Sequence, residues 1–185
     1  LEIYTIGHST HTEEEFLDML NHCGIEMVAD VRAFPASHKF PHFSIDHMPG
    51  WLGENQIEYK HFRKLGGRRK KSKETDPEIN GGWNNRSFHN YADYTLTEEF
   101  RQGIDDLTKE ASVKRVAYCC SERHPARCHR LLISNWLSAE GWKVKHIIDG
   151  NKGEIDVVDH KLGKWGAEPV ILESGIPVYP KTDST

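Results

Sequence analysis

Short apolar runs and amphipathic stretches alternate along this chain. Ile3 to Ile6 is a strand-like run ending at Gly7, and Thr12-Glu13-Glu14-Glu15 then supplies a hydroxyl cap and an acidic first turn for a helix. Phe16, Leu17, Leu20 and Cys23 recur at helical spacing up to the stop at Gly24. Met27 to Val31 is apolar except for Asp30, the pattern of a strand buried on both faces. Residues 44–55 predict a weak helix interrupted by Pro49 and Gly50, followed by a short strand near Ile57 to His61. Thr97-Glu98-Glu99-Phe100 opens a helix to about Ala111 with Phe100, Ile104 and Leu107 as its buried stripe, and Val113 to Cys120 is the next strand. Pro125 to Glu140 is the strongest helical pattern, through Leu131, Leu132, Trp136 and Leu137 with Gly141 as its stop, and Val144 to Ile148 is a last strand.

That order predicts an α/β fold of three layers, with a mainly parallel sheet of about five strands and helices on both faces joined by right-handed crossovers. Residues 1–149 are expected to form one domain with long inserted loops at 33–56 and 62–95, the second without hydrophobic periodicity, and 150–185 an irregular C-terminal tail.

Composition narrows the class. A chain of 185 residues leaves no room for a second full domain. No run approaches the roughly 18 apolar residues of a membrane span, and the first residues lack the basic and apolar regions of a signal peptide. Four cysteines, three of them between 119 and 128, suit thiol chemistry better than a disulfide scaffold. A soluble, cytoplasmic protein with no membrane partner is therefore expected. Net charge is −4, which by itself does not mark a nucleic-acid binder, yet Lys60 to Lys73 holds eight basic residues and no acid, leaving −12 for the remainder. Such a block is either a solvated loop or an anion-steering patch.

In open parallel sheets, ligands bind beyond the carboxyl ends of the strands. Following each strand there leads to His8 and Ser9, then Asp30 and Arg32, then the basic block with Arg68, and last Cys120-Ser121-Glu122-Arg123-His124-Pro125-Ala126-Arg127-Cys128-His129-Arg130. A thiol at a strand end, facing a helix amino terminus and several arginines, is placed to be a lowered-pKa nucleophile. The strand-loop-helix geometry is that of tyrosine-phosphatase and rhodanese-type sites. The step from Cys120 to Arg127 is one residue longer than the phosphatase spacing, so that activity does not carry over. Strand alternation assigns Cys119 to the core and Cys120 to the crevice. Cys120, Glu122 and Asp30 are the candidate catalytic groups; Glu122 equally suits a helix cap. His8, Ser9, Arg32, Arg68, Arg86, Tyr91, Tyr94, Cys128, His129 and Arg130 are the candidate ligand contacts, with Arg32, Arg86 and Arg130 set to hold anionic oxygens. Rings such as Phe34, Phe40, Phe43, Trp83 and Phe88 interleaved with arginines suit stacked bases and phosphates, or a lid over the sheet edge. Cys120, His124, Cys128 and His129 offer metal-ligand types without the paired spacing of zinc sites, so no metal and no cofactor is expected.

The motifs also carry a resemblance. Ile3-Tyr4-Thr5-Ile6-Gly7-His8-Ser9, Asp30-Val31-Arg32-Ala33-Phe34-Pro35 with Pro41 and Phe43, Leu65-Gly66-Gly67, Tyr91-Ala92-Asp93-Tyr94, and Cys120-Ser121-Glu122 with Pro125 and Cys128-His129-Arg130 resemble the family known as domain of unknown function 488, over residues 3 to about 148. The resemblance implies a small cytosolic α/β protein and leaves its reaction open. The Asp-Val-Arg stretch is faintly rhodanese-like, a minor reading. The leading expectation is an enzyme acting on a phosphate-bearing ligand, either an anionic small molecule such as a nucleotide or single-stranded nucleic acid. The alternatives are a non-catalytic nucleic-acid-binding module and a Cys/His metal-binding protein.

Overall fold

The computed structural model describes residues 1–149 and 153–182. Its elements in chain order are β1 (Glu2–Gly7), α1 (Glu13–His22), β2 (Met27–Asp30), α2 (Met48–Glu54), β3 (Glu58–His61), α3 (Arg86–Tyr94), α4 (Glu98–Ala111), β4 (Val116–Cys120), α5 (Arg130–Ala139), β5 (Lys143–Asp149), β6 (Ile155–Asp159), β7 (Val170–Ile171) and β8 (Pro177–Val178). The fold is α/β. Its six-stranded sheet has the order β3-β2-β4-β1-β5-β6, parallel from β3 through β5, with β6 antiparallel at the edge. No helix among the described residues is long and apolar enough to cross a membrane.

The two faces of the sheet carry separate cores. On one, Phe16 and Leu20 of α1 and Met48, Trp51 and Leu52 of α2 pack against Tyr4, Ile6, Val28, Ala117 and Cys119. On the other, Tyr91 of α3, Phe100 and Ile104 of α4 and Leu132 and Trp136 of α5 pack against Ile3, Met27, Ala29, Tyr118 and Cys120. Adjacent Cys119 and Cys120 therefore belong to opposite faces, as the pleat requires. The connections after β1 and β2 leave toward the first face and the one after β4 toward the second. This divergence opens a crevice above β4. Register aligns its floor, since Gly7 is opposite Cys120 and Asp30 opposite Cys119.

Side-chain caps fix the starts of α1 and α4. Thr12 and Glu15 form a reciprocal capping box on α1, and Thr97 accepts from the Phe100 amide on α4. Three elements differ from the sequence pattern. Helix α3 lies inside the expected loop 62–95; Asn85 caps it by accepting from the Phe88 amide, and Tyr91, Ala92 and Tyr94 bury its inner side. The helix expected over 125–140 is broken: Pro125–Arg127 is a separate 3₁₀ turn capped by His124, and α5 begins only at Arg130. The segment 150–185, expected to be irregular, contributes β6, β7 and β8 and buries Tyr179; its residues 150–152 and 183–185 lie outside the described residues.

Candidate functional site

A cleft of about 480 Å³ lies over the ends of β1, β2 and β4. His8, Arg32, Phe34, Arg68, Ser121, Glu122, Arg127, Cys128 and His129 line it, with Cys120 on its floor. The break between the 3₁₀ turn and α5 places Cys128 over Cys120, with their sulfurs 2.8 Å apart. All four cysteines are free thiols. Arg130, the first residue of α5, turns inward and is fully buried. Its Nε donates to Cys120 Sγ at 3.0 Å, Nη1 to Thr5 Oγ1 at 2.8 Å, and Nη2 to the Glu122 carbonyl at 2.5 Å. The arginine that meets the thiol is thus Arg130, not Arg127, which stands exposed on the cleft rim. Gly7 is required at this point, because a Cβ there would collide with the Glu122 carbonyl and the Arg130 guanidinium.

The two thiols are unequal. Burial pushes Cys120 up, but the hydrogen bond from Cys128 and the Arg130 charge outweigh it and bring it down to about 6. Burial and the same contact, in which it donates, push Cys128 well above the usual thiol value. At neutral pH the pair therefore holds a thiolate on Cys120 and a proton on Cys128. Cys119, fully buried on the other face, is pushed up by burial.

A buried chain of hydrogen bonds stands behind Arg130. Thr5 Oγ1 is 2.8 Å from His146 Nδ1, His146 Nε2 is 2.9 Å from His160 Nδ1, and His160 Nε2 is 2.8 Å from Asn135 Oδ1. Asn135 Nδ2 in turn donates to the Tyr179 hydroxyl at 3.0 Å. With Asn135 Oδ1 as terminal acceptor and both imidazoles neutral, every bond donates in the direction from Arg130 to Asn135. Burial pushes His146 down to about 2, helped by the neighbouring His160 imidazole and the Arg130 charge, and pushes His160 down to about 4. The unfolded chain, with histidines near 6.5, binds these protons more readily. The stability due to the neutral chain is therefore complete above about pH 6.5 and is lost as pH falls. Fully buried His146 alone should remove about 2 kcal/mol by pH 5, at about 1.4 kcal/mol per pH unit. Urea unfolding at pH 7 and pH 5 measures this, and an unchanged free energy between them would contradict the neutral chain.

A second buried unit supports the other wall. Asp30 Oδ1 accepts from the backbone N–H and Nε of Arg32 at 3.1 and 2.9 Å; Oδ2 accepts from Arg32 Nη2 at 2.7 Å and from the Tyr59 hydroxyl. Arg32 also donates to the Phe43 carbonyl at 2.7 Å and to His8 Nε2 at 3.2 Å. His8 is accordingly protonated on Nδ1, which donates to the Ser9 carbonyl at 3.0 Å, while its ring stacks on Phe43 at 4.4 Å. Burial and the Arg32 charge push His8 down to about 4. His129 donates from Nε2 to the Val31 carbonyl at 2.6 Å, and burial pushes it also to about 4. It is neutral at pH 7 with its Nδ1 lone pair toward Gly67, where a Cβ would come within 2.5 Å.

The structure gathers His8, Arg32, Arg68, Cys120, Glu122, Cys128 and His129 around the cleft, with Asp30 and Arg130 beneath it. Several expected positions differ. Arg130 and Arg32 spend their donors on protein groups, and the exposed guanidinium groups that line the cleft are those of Arg68 and Arg127. Asp30, fully buried with both oxygens bonded, is a strut rather than an acid or base at the surface of the cleft. Arg86 lines a separate hollow of about 280 Å³ with Lys71, Ser72 and His89. Tyr91 and Tyr94 donate to the Leu65 and Lys64 carbonyls at 2.7 and 2.5 Å, bracing the start of the basic loop from inside. Ser9 does not line the cleft; it takes the left-handed backbone at φ 47° that turns the chain out of β1, and its N–H donates to the Ser121 carbonyl. His124, a metal-ligand type in the sequence, uses Nδ1 to accept the Ala126 amide. Among the described residues, no group of three or more His, Cys, Asp or Glu converges as a metal site. Thr5, Tyr59, Asn135, His146 and His160 escaped sequence reasoning; a histidine within the apolar β5 pattern was the one available signal.

Residues 12–137, about two thirds of the chain, match a family model described as domain of unknown function DUF488. No curated protein and no solved structure matches the chain.

Proposed function

The chain belongs to the DUF488 family, and from the geometry of its cleft we propose that it is a thiol-dependent enzyme acting on a phosphate-bearing ligand. The observation that carries this reading is the Cys120 sulfur at the cleft floor, bonded by both Arg130 Nε and Cys128. Two donors on one sulfur favour the thiolate, and the thiolate is the nucleophilic form. Cys120 attacks an electrophilic centre of the bound ligand; the bond to the leaving group breaks as the bond to sulfur forms, the leaving group takes a proton from water, and a second water then cleaves the adduct and frees the Cys120 thiolate. Arg68 and Arg127 meet the anionic group at the rim, while neutral His129 offers a lone pair for proton transfer.

Two features favour a nucleotide or a single-stranded nucleic acid as that ligand. Phe34 is 67% exposed at the rim with the Arg68 guanidinium 5.6 Å from its ring centroid, a platform suited to a base. The exposed lysines of the 60–73 block continue from Arg68 along the chain and suit further phosphates.

Labelling with iodoacetamide from pH 5 to 9, followed by peptide mapping, tests the reading. Cys120 is expected to label with a midpoint near pH 6, Cys119 only after unfolding, and a nucleoside monophosphate to protect Cys120 better than the nucleoside. Preferential labelling of Cys119, or a Cys120 silent until unfolding, would remove the nucleophile from the proposal. A non-catalytic nucleic-acid-binding module is distinguished by oligonucleotide affinity that falls steeply with salt and survives Cys120→Ser unchanged, with no ligand-dependent turnover in the parent.

A further inference from the structure

We propose that Cys128 is a resolving thiol for Cys120, so that the cleft cycles between dithiol and disulfide when it meets a small hydroperoxide. The inference shares the Cys120 thiolate with the reading above and is independent of which ligand fills the cleft.

The two sulfurs lie well inside van der Waals contact. Closing 2.8 Å to the ~2.05 Å of a disulfide takes less than 1 Å of travel. The chain around Cys128 can supply that travel, because this residue lies between the 3₁₀ turn and α5 and belongs to neither. No other cysteine competes. Cys119 points into the opposite core and donates to the Cys120 carbonyl, and Cys23 lies at the end of α1 with its carbonyl bonded to Arg115. Arg130 ties the pair together, since its Nε meets Cys120 Sγ and its backbone N–H donates to Cys128 Sγ at 3.4 Å. Cys128 is partly exposed and both residues line the cleft, which is the route by which a small oxidant would reach them.

The chemistry balances. The Cys120 thiolate attacks the outer oxygen of the hydroperoxide; an S–O bond forms, the O–O bond breaks, and the alkoxide or hydroxide leaves and takes a proton from water. The sulfenic acid is then attacked by the Cys128 sulfur, the S–S bond forms, and the sulfenic oxygen departs as water with the Cys128 proton. The two electrons that reduce the peroxide come from the two sulfurs, and a dithiol reductant returns them with two protons.

Trypsin makes the test direct, because Arg123 and Arg127 separate residues 116–123, which carry Cys119 and Cys120, from residues 128–130. The full chain would be treated with one equivalent of hydrogen peroxide, blocked with N-ethylmaleimide and mapped without reductant. The expected main product is peptide 116–123 joined to 128–130 through Cys120, lost on treatment with dithiothreitol. In Cys128→Ser the same dose should leave a Cys120 sulfenic acid trapped by dimedone. A wild-type Cys120 that oxidises to sulfenic or sulfinic acid while Cys128 still takes up N-ethylmaleimide would overturn the proposal. So would a link through Cys119. Cys120 that alkylates readily but never links defeats this inference alone, whereas Cys120 inert to both reagents defeats the thiolate reading as well.

Discussion

Replacing Arg130 with methionine is expected to move the midpoint of Cys120 reactivity from near pH 6 to beyond the free-thiol value of roughly 8.5. Burial, the largest influence on this sulfur, already acts to raise it, so removal of the guanidinium leaves the Cys128 hydrogen bond and a weaker backbone hydrogen bond at Glu122 in opposition. The thiolate fraction at pH 7 then falls from roughly 90% to a few per cent. The rate at pH 7 falls much less. A thiolate of higher pKa is a better nucleophile, and with a Brønsted slope of about 0.4–0.5 a shift of some 2.5 units returns about tenfold. Reaction with an aromatic disulfide reagent should therefore slow only two- to threefold at pH 7, while the plateau at high pH rises about tenfold above the parent plateau. A loosened fold would raise the whole curve without moving its midpoint in this way. Arg130→Lys keeps the charge without the fork that joins Cys120, Thr5 and the Glu122 carbonyl, and its midpoint should fall between the two. A midpoint that stays near pH 6 in Arg130→Met would show that the thiolate does not depend on the Arg130 charge.

Arg130 also shows how far the sequence could be read. The placement of Cys120 at the end of a buried strand, with Cys119 on the opposite face, followed from the period of β4 and from where parallel sheets open. Which arginine would answer the thiol did not follow. Arg123, Arg127 and Arg130 all flank the thiol in sequence, but the 3₁₀ turn at Pro125 takes up the residues before Cys128, and the delayed start of α5 turns Arg130 inward. The hydrogen-bond chain was out of reach for a different reason. Thr5 and His146 lie on β1 and β5, which become register partners only once β5 is known to flank β1, and His160 lies beyond the antiparallel β6. Helix α3 was missed because its apolar residues crowd at its C-terminal end, although Asn85 three residues before Phe88 was a legible cap. Local periodicity thus located the crevice, and pairing across the sheet decided which side chains reach it.

The second large effect is expected at Asp30. Asp30→Asn leaves the Arg32 guanidinium buried with a neutral partner, and breaking a buried ion pair from one side costs about 3–5 kcal/mol. That is a sizeable share of the stability of a domain this size. The loss should exceed that of an ordinary hydrogen bond because three donors of Arg32, its backbone N–H included, and the Tyr59 hydroxyl all converge on the one carboxylate. The charge itself is the cause, so removing it from the other side should restore stability. In Asp30→Asn with Arg32→Met the amide oxygen still accepts from Tyr59, no unpaired cation remains, and most of the deficit is expected to return. Urea unfolding at pH 7 of the parent, both single variants and the double variant gives the coupling as a double-mutant cycle. A loss below about 1 kcal/mol in Asp30→Asn, or a double variant no more stable than that single, would mean that water reaches the Arg32 guanidinium and that the cleft wall is not braced by this pair.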